Sequence, residues 1–290
     1  MRTVSSDTIT QAFLDYCGPE TSPRVKEVLT SLTTHLHAFA KEVNLTHDEW
    51  RLGLELLMKT GEISDAERNE YVLMSDVLGL SSLVDMINSP EVGTPSSVLG
   101  PFHILGAPDI EHGADMKGEN EGPTVFVSGR ILQPNGEPIK SAEMEIWQTA
   151  DNGLYSNQDE AQSEYNLRGH LHAQEDGRYL FCTVRPAPYT VPDDGPVGVL
   201  LHATGRHPWR PSHLHFIVTA PGFRTLVTEV FPSDDPYLDE DAVFGVRDAL
   251  VMEYQEQTDL SAIPADMKLK HEPTMPFYTV DFDLVLSPDA

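Results

Sequence analysis

Two histidines, His213 and His215, stand two residues apart where the basic, proline-bounded segment Gly205-Arg206-His207-Pro208-Trp209-Arg210-Pro211-Ser212 runs into the apolar stretch Phe216-Ile217-Val218. Side chains at i and i+2 of a strand leave the same face, so both imidazoles can turn toward one ion. Imidazole suits iron, copper, zinc and nickel. His170-Leu171-His172 has the same spacing but, in a stretch rich in Glu and Gly, reads as a solvated loop. Two tyrosines lie upstream. Tyr155 ends Asp151-Asn152-Gly153-Leu154-Tyr155, and Tyr189 sits in Arg185-Pro186-Ala187-Pro188-Tyr189-Thr190-Val191-Pro192. The second loop is held extended because each proline fixes its own φ and restricts the residue before it. Taken singly, each tyrosine reads first as an ordinary amphipathic surface or core residue. Two phenolates with two imidazoles would make a hard, anionic N/O site matched to Fe(III). Zinc, which prefers Cys, His and carboxylates, suits that set less well.

These residues need a scaffold, and the chain divides at about residue 90. Before it, Ser22-Pro23 opens a stripe of Val25, Val28, Leu29, Leu32, Leu36, Phe39 and Val43 at the spacing of an amphipathic helix. Thr46 with Glu49, and Ser64 with Glu67, read as capping boxes. Residues 91–123, rich in Gly, Pro and Asp, read as a long connector. Beyond it the pattern has period two: Thr124-Val125-Phe126-Val127, Met144 with Ile146, Tyr179-Leu180-Phe181, Leu226 to Val230, and Tyr278, Val280, Phe282, Leu284 and Leu286. Gln133-Pro134-Asn135-Gly136-Glu137-Pro138 is a turn between two strands. Strands at such intervals suggest a β-sandwich. One further helix is expected at about Asp239 to Tyr254.

The formal charge of -27 argues against nucleic acid or an anionic membrane surface as partner. Cys17 and Cys182 are too few for a disulfide framework. The start Met1-Arg2-Thr3-Val4-Ser5-Ser6-Asp7 has no apolar signal region, and no run is long enough to span a bilayer, so a reducing cytoplasm is the expected location.

The pieces Ile146-Trp147-Gln148, Gly153-Leu154-Tyr155, Pro186-Ala187-Pro188-Tyr189, Asp194-Gly195-Pro196-Val197-Gly198, the Gly205 to Phe216 block and Ala220-Pro221-Gly222-Phe223-Arg224 occur in that order, preceded by Gly93-Thr94-Pro95-Ser96-Ser97-Val98-Leu99-Gly100-Pro101-Phe102. Together they resemble the intradiol ring-cleaving dioxygenases, which use a non-haem ferric ion and O2. The resemblance implies an α+β fold. A helical dimerisation region over 1–90 would pack on a mixed-topology β-sandwich over 124–290, and 91–123 would contribute pocket residues. It implies Tyr155, Tyr189, His213 and His215 as metal ligands, with Tyr189 as the tyrosinate that leaves the metal and takes a substrate proton. Arg210 would stabilise carbanion character on the attacked ring carbon, or be a surface arginine beside Trp209. A homodimer is also implied, with phospholipid enclosed by the apolar stripes at its interface; core and dimer surface alone would explain the stripes as well.

The pocket is read from Leu73, Asp76, Val77, Leu80, Leu83, Val84 and Ile87, a single helical stripe whose one charged member is Asp76. Burying an unpaired carboxylate is costly. Asp76 therefore either sits at a rim or is met by something polar, a structural partner or a third substrate hydroxyl. A Leu-x-x-Asp pair resembling Leu73 and Asp76 occurs in relatives that cleave hydroxyquinol (benzene-1,2,4-triol), and Val98, Leu99 and Gly100 are expected in the same pocket. Glu229 falls where relatives carry Gln or His near the substrate, and a carboxylate there would repel a diolate unless protonated or turned away. The reading is therefore cleavage of hydroxyquinol to 3-hydroxy-cis,cis-muconate and maleylacetate. Catechol to cis,cis-muconate is the alternative, and a β-sandwich that binds metal or lipid without turnover is the non-enzymic one.

Overall fold

Ser22 and Pro23 begin the longest helix as their chemistry requires: Ser22 Oγ accepts the Val25 N–H at 3.4 Å, and proline takes a first-turn position where no N–H is needed. The computed structural model describes residues 3–65 and 68–289, in two units divided after Lys59. The first holds α1 (Ile9–Asp15), α2 (Pro23–Glu42) and most of α3 (His47–Ile63). The Thr46–Glu49 capping box forms, with Thr46 N–H donating to Glu49 at 2.9 Å and Glu49 N–H donating to Thr46 Oγ1 at 3.3 Å. The α2 stripe is exposed from Val25 to Val43. The Ser64–Glu67 box involves Glu67, which lies outside the described residues.

In the second unit, α4 (Glu70–Val77) and α5 (Leu80–Asn88) replace the single expected stripe. Gly79 adopts φ 73, a left-handed conformation that ends one helix and redirects the next. Leu73, Asp76 and Val77 are therefore buried, while Leu80, Leu83, Val84 and Ile87 remain exposed.

The strands follow as β1 (Asp109–Ile110), β2 (Ala114–Asp115), β3 (Thr124–Leu132), β4 (Glu143–Trp147), β5 (Arg168–His172), β6 (Arg178–Val184) and β7 (Tyr189–Thr190). After α6 (Pro196–Ala203) come β8 (Trp209–Arg210), β9 (Leu214–Thr219), β10 (Leu226–Pro232), β11 (Val251–Met252), β12 (Gln255–Gln257), β13 (Phe277–Asp281) and β14 (Leu284–Val285). One sheet has the order β1-β5-β4-β9-β10-β11; the other runs β12-β13-β3-β6-β2, with β14 also on β3. Both mix parallel and antiparallel pairs. Val125, Val127, Met144, Ile146, Phe181, Phe216 and Val218 are fully buried in one cluster, each contributing about 1.5–3 kcal/mol by leaving water.

Two expectations fail here. The helix over 239–254 is absent: the segment has 3-10 turns at Leu238–Glu240 and Asp248–Leu250, then β11. The Asp241 carboxylate accepts the N–H groups of Val243 at 3.2 Å and Gly245 at 2.8 Å, and Phe244 takes φ 57, so side-chain bonding replaces helical bonding. His170 and His172 lie on β5, not in a loop, because β4 and β1 pair with it on either side. The Val-Gly-Val content of α6 gives little sign of a helix, although Gly195-Pro196 is a start signal.

Candidate metal centre and active site

Cross-strand register assembles the centre. His215 on β9 is paired with Trp147 on β4 on one side and with Glu229 on β10 on the other. The Trp147 indole stacks on the His215 ring at 4.6 Å and 5°, which fixes the imidazole plane. Tyr189 on β7 is paired with Arg210 on β8. The chain then passes through Pro211 and Ser212 to His213, whose ring lies at 86° to that of His215. Tyr155 arrives from the loop after β4, stacked on Phe102 at 4.7 Å and set at 88° to the Tyr189 ring. The two tyrosines and two histidines expected to act together are thus brought into one buried cluster.

Three donor atoms converge: Tyr155 Oη lies 3.0 Å from His215 Nε2 and 3.2 Å from His213 Nε2, and the two Nε2 atoms are 3.1 Å apart. Ligands at right angles on metal bonds of about 2.1 Å stand about 3.0 Å apart. The donor spacing fits a metal ion better than it fits three groups hydrogen-bonding one another. Both imidazoles turn Nε2 toward the centre, where that of His213 also lies 3.3 Å from Arg210 Nη1. His213 donates its Nδ1–H to the Pro211 carbonyl at 2.7 Å, and His215 Nδ1, otherwise unpartnered, faces Glu229 Oε1 at 3.5 Å. Burial, followed by the Arg210 charge, pushes the His213 pKa down to about 4. Burial, then His213, holds that of His215 well below its ordinary value. Neutral imidazole is the ligating form. Burial raises both phenols, Tyr155 well above the usual range, so a cation must be present for them to ionise.

Arg210 is 2% exposed and enclosed by two carboxylates. Its Nε donates to Asp241 Oδ1 at 3.0 Å, Nη1 to Glu229 Oε1 at 2.9 Å and Nη2 to Glu229 Oε2 at 3.1 Å. Nη1 also reaches Tyr189 Oη at 3.5 Å. Burial opposes the guanidinium charge, but Asp241 and Glu229 outweigh it and the pKa rises well above the ordinary value. For Glu229, burial works toward the neutral acid; the Arg210 charge and the hydrogen bonds from Arg210 and Ser97 prevail, and the pKa is lowered. Glu229 meets His213 Nε2 at 3.4 Å. Its oxygens are nonetheless committed to Arg210 and to the Ser97 hydroxyl, which donates at 2.6 Å, so the carboxylate buttresses the histidines and does not join the donor set.

Asp241, Ser97 and Trp147 do not stand out as site residues in the sequence. One signal is available for Asp241: Gly245, where an added Cβ would lie 3.0 Å from Asp241 Oδ2. It would also lie 2.6 Å from Arg210 Nη2 and 2.9 Å from Glu229 Oε2, so only glycine leaves room for the ion-pair network.

A cavity of about 610 Å³ is lined by Val72, Asp76, Leu80, Val84, Val98, Leu99 and Gly100, among others. Gly100, at φ 70, brings the cavity wall against the centre: a Cβ on it would stand 3.5 Å from His215 Cε1. Asp76 is 5% exposed. Burial raises its pKa, against a hydrogen bond with Ser81 and the field of Arg210, and among the described residues no lysine or arginine forms an ion pair with it. Leu73, expected in the pocket, is buried one turn earlier on α4 and does not line this cavity.

Residues 98–288 match the family model described as Dioxygenase, and residues 22–94 match that of the catechol dioxygenase N terminus. The chain belongs to the intradiol ring-cleavage dioxygenases. It is 44% identical to a 6-chlorohydroxyquinol 1,2-dioxygenase of Cupriavidus pinatubonensis, over 99% of both chains. It is 41% identical to an intradiol ring-cleavage dioxygenase of Aspergillus niger, over 83% of this chain and 80% of that one. The crystal structure of hydroxyquinol 1,2-dioxygenase from Pseudomonas putida DLL-E4 superposes with a TM-score of 0.90 at 42% identity, covering 98% of this chain and 99% of that one. This intradiol dioxygenase is a non-haem iron enzyme acting on a catechol-type or hydroxyquinol-type diol. Among the described residues, no helix is long and apolar enough to cross a membrane.

Proposed function

We propose that this chain cleaves hydroxyquinol between its adjacent hydroxylated carbons, adding both atoms of O2 to give 3-hydroxy-cis,cis-muconate and, by tautomerisation, maleylacetate. The observation that carries the reading is Asp76, a buried carboxylate with no ion-pair partner among the described residues, in the wall of a cavity that abuts His215 through Gly100. A third ring hydroxyl donating to it forms a charge-assisted bond of about 1.5–3 kcal/mol. The names of the relatives in Cupriavidus and Pseudomonas support the same substrate class. Catechol is the second reading, favoured by the apolar Val72, Leu80, Val84, Val98 and Leu99 that make up much of the same wall.

In this reading Tyr155, Tyr189, His213 and His215 hold the iron. Ferric iron, when bound, supplies Lewis acidity toward the diol oxygens and a route by which dioxygen reacts with a spin-paired substrate. Tyr189 Oη takes one substrate proton, and its contact with Arg210 Nη1 holds the phenol oxygen in place. Arg210 keeps a fixed positive charge beside the reacting ring, favouring charge that develops there. Glu229 and Asp241 position that guanidinium; Glu229 is paired with it and does not face the substrate as an isolated anion. Val98, Leu99 and Gly100 exclude water from one side. Residues 91–123, which supply these three, act as the connector between a helical region over 1–90 and the sandwich over 124–290. The exposed apolar face of α2 supports a homodimer with phospholipid at its interface. The test of the substrate is the ratio of kcat/KM for hydroxyquinol to that for catechol. A ratio well above one is expected, falling toward catechol in Asp76→Ala.

A further inference from the structure

The second His-x-His pair stands on the same outer sheet face as Trp147 and His215, displaced along the strands: Glu145 pairs with His170 and Glu143 with His172, two and four residues before Trp147. Because β5 alternates, His170 and His172 leave the same face. Register brings Asp109 on β1 beside His170, and Glu143 on β4 opposite His172. The two carboxylates divide the four ring nitrogens between them. Asp109 Oδ1 lies 2.7 Å from His170 Nδ1 and 3.9 Å from His172 Nε2. Glu143 lies 3.6 Å from His170 Nε2 and 3.8 Å from His172 Nδ1.

We propose that His170 Nδ1, His172 Nε2 and an Asp109 oxygen form a second cation site, for a divalent ion of zinc-like softness, with Glu143 as its orienting partner. The three ligand groups offer atoms that all lie within 4.8 Å of one another, a spread that side-chain rotation at a partly exposed site closes. Without the ion, His170 donates its Nδ1–H to Asp109 at 2.7 Å; binding shifts this proton to Nε2, which faces Glu143, so that Nδ1 is freed for the ion with no net proton loss from the neutral ring. This carboxylate–histidine–metal arrangement fixes tautomer and ring plane in known metal sites. Two imidazoles favour zinc, nickel, cobalt or copper over calcium or magnesium, which take oxygen. Lys268 and Arg178, which line the same cavity as Asp109 and His172, are already engaged, with Glu111 and Asp176. The chain's net charge of -27 raises the local concentration of cations. Asp109 belongs to a two-residue edge strand, so an ion shared with β5 would staple the 91–123 connector to the sheet.

The experiment titrates Zn2+ into the iron-loaded enzyme while iron content and visible absorbance are followed. Wild type is expected to take up one zinc per chain beyond its iron, with the absorbance unchanged. The thermal midpoint should rise by about 5 °C at zinc one hundredfold above its dissociation constant. His170→Ala and His172→Ala should each weaken uptake by more than about tenfold, and Glu143→Gln by about tenfold. Because these side chains are partly or largely exposed, the variants keep the fold, which circular dichroism and retained iron verify. No uptake beyond the iron, uptake only with bleaching of the iron absorbance, or equal affinity in the histidine variants would each overturn the proposal.

Discussion

His213-Leu214-His215, at the start of β9, and His170-Leu171-His172, on β5, have the same local pattern and flank β4 on opposite sides, yet they differ in almost everything that sets chemistry. The first pair is buried, stacked against Trp147 and joined by two phenols. The second faces solvent between two carboxylates. Burial keeps the imidazoles of the first pair neutral and makes phenolate ionisation depend on a strong cation. Exposure leaves the second pair with donors that suit a softer, exchangeable ion. The spacing determines that two rings can share an ion; the surrounding strands determine which ion binds and whether its binding drives a reaction or only ties strands together.

The largest contrast should come from deleting one histidine of each pair. His213→Ala is expected to lose iron, visible absorbance and ring cleavage together, whereas His172→Ala should leave kcat within about twofold of wild type. Iron analysis and oxygen uptake on the two proteins would decide, and a colourless but active His213→Ala would break the distinction. Next in size are the charges around each pair. Arg210→Ala strands Glu229 and Asp241 in the interior, at a cost of about 3–5 kcal/mol, and should lower kcat by about one hundredfold in whatever protein keeps its iron. Asp109→Ala, at the surface, should leave the urea midpoint of zinc-free protein unmoved. Equal midpoints for the two variants would show that Arg210 is not held as the geometry indicates.

Asp76 tests the wall between cavity and centre. Asp76→Ala should shift the kcat/KM ratio toward catechol by roughly ten- to a hundredfold at constant iron content. An equal loss on both substrates would return Asp76 to a purely structural role. The smallest effect concerns acid sensitivity of the iron-free protein. His213 is held at about 4 in the fold, against about 6.5 in an unfolded chain. Between these values the unfolded chain binds more protons, so stability falls as pH is lowered through that window. Urea midpoints of iron-free wild type from pH 7 to pH 4 should decline more steeply than those of iron-free His213→Asn.

Much of the centre is legible in the sequence because its information is local. His-x-His needs only strand alternation, and Pro186, Pro188 and Pro192 hold the loop that presents Tyr189. The hidden part depends on partners far apart in the chain. Glu229 reads as a misplaced anion until β10 pairs with β9 and Arg210 reaches it across 19 residues. Asp241 sits in a segment with helical periodicity, and it is the tertiary demand of Arg210, with Gly245 leaving the space, that turns this segment into a loop. His170 and His172 look like loop residues because β5 is polar on its outer face and depends on neighbours on both sides for support. The apolar stripe from Leu73 to Ile87 passes over Gly79, whose left-handed turn separates the buried half from the exposed half.

The most direct test of the ring-cleavage account is isotopic. Iron-replete enzyme supplied with hydroxyquinol under 18O2 should consume one O2 per substrate and release 3-hydroxy-cis,cis-muconate or maleylacetate carrying two 18O atoms, read by mass spectrometry after rapid quenching. A product with a single labelled oxygen, or no oxygen consumption by protein that contains its iron, would contradict it.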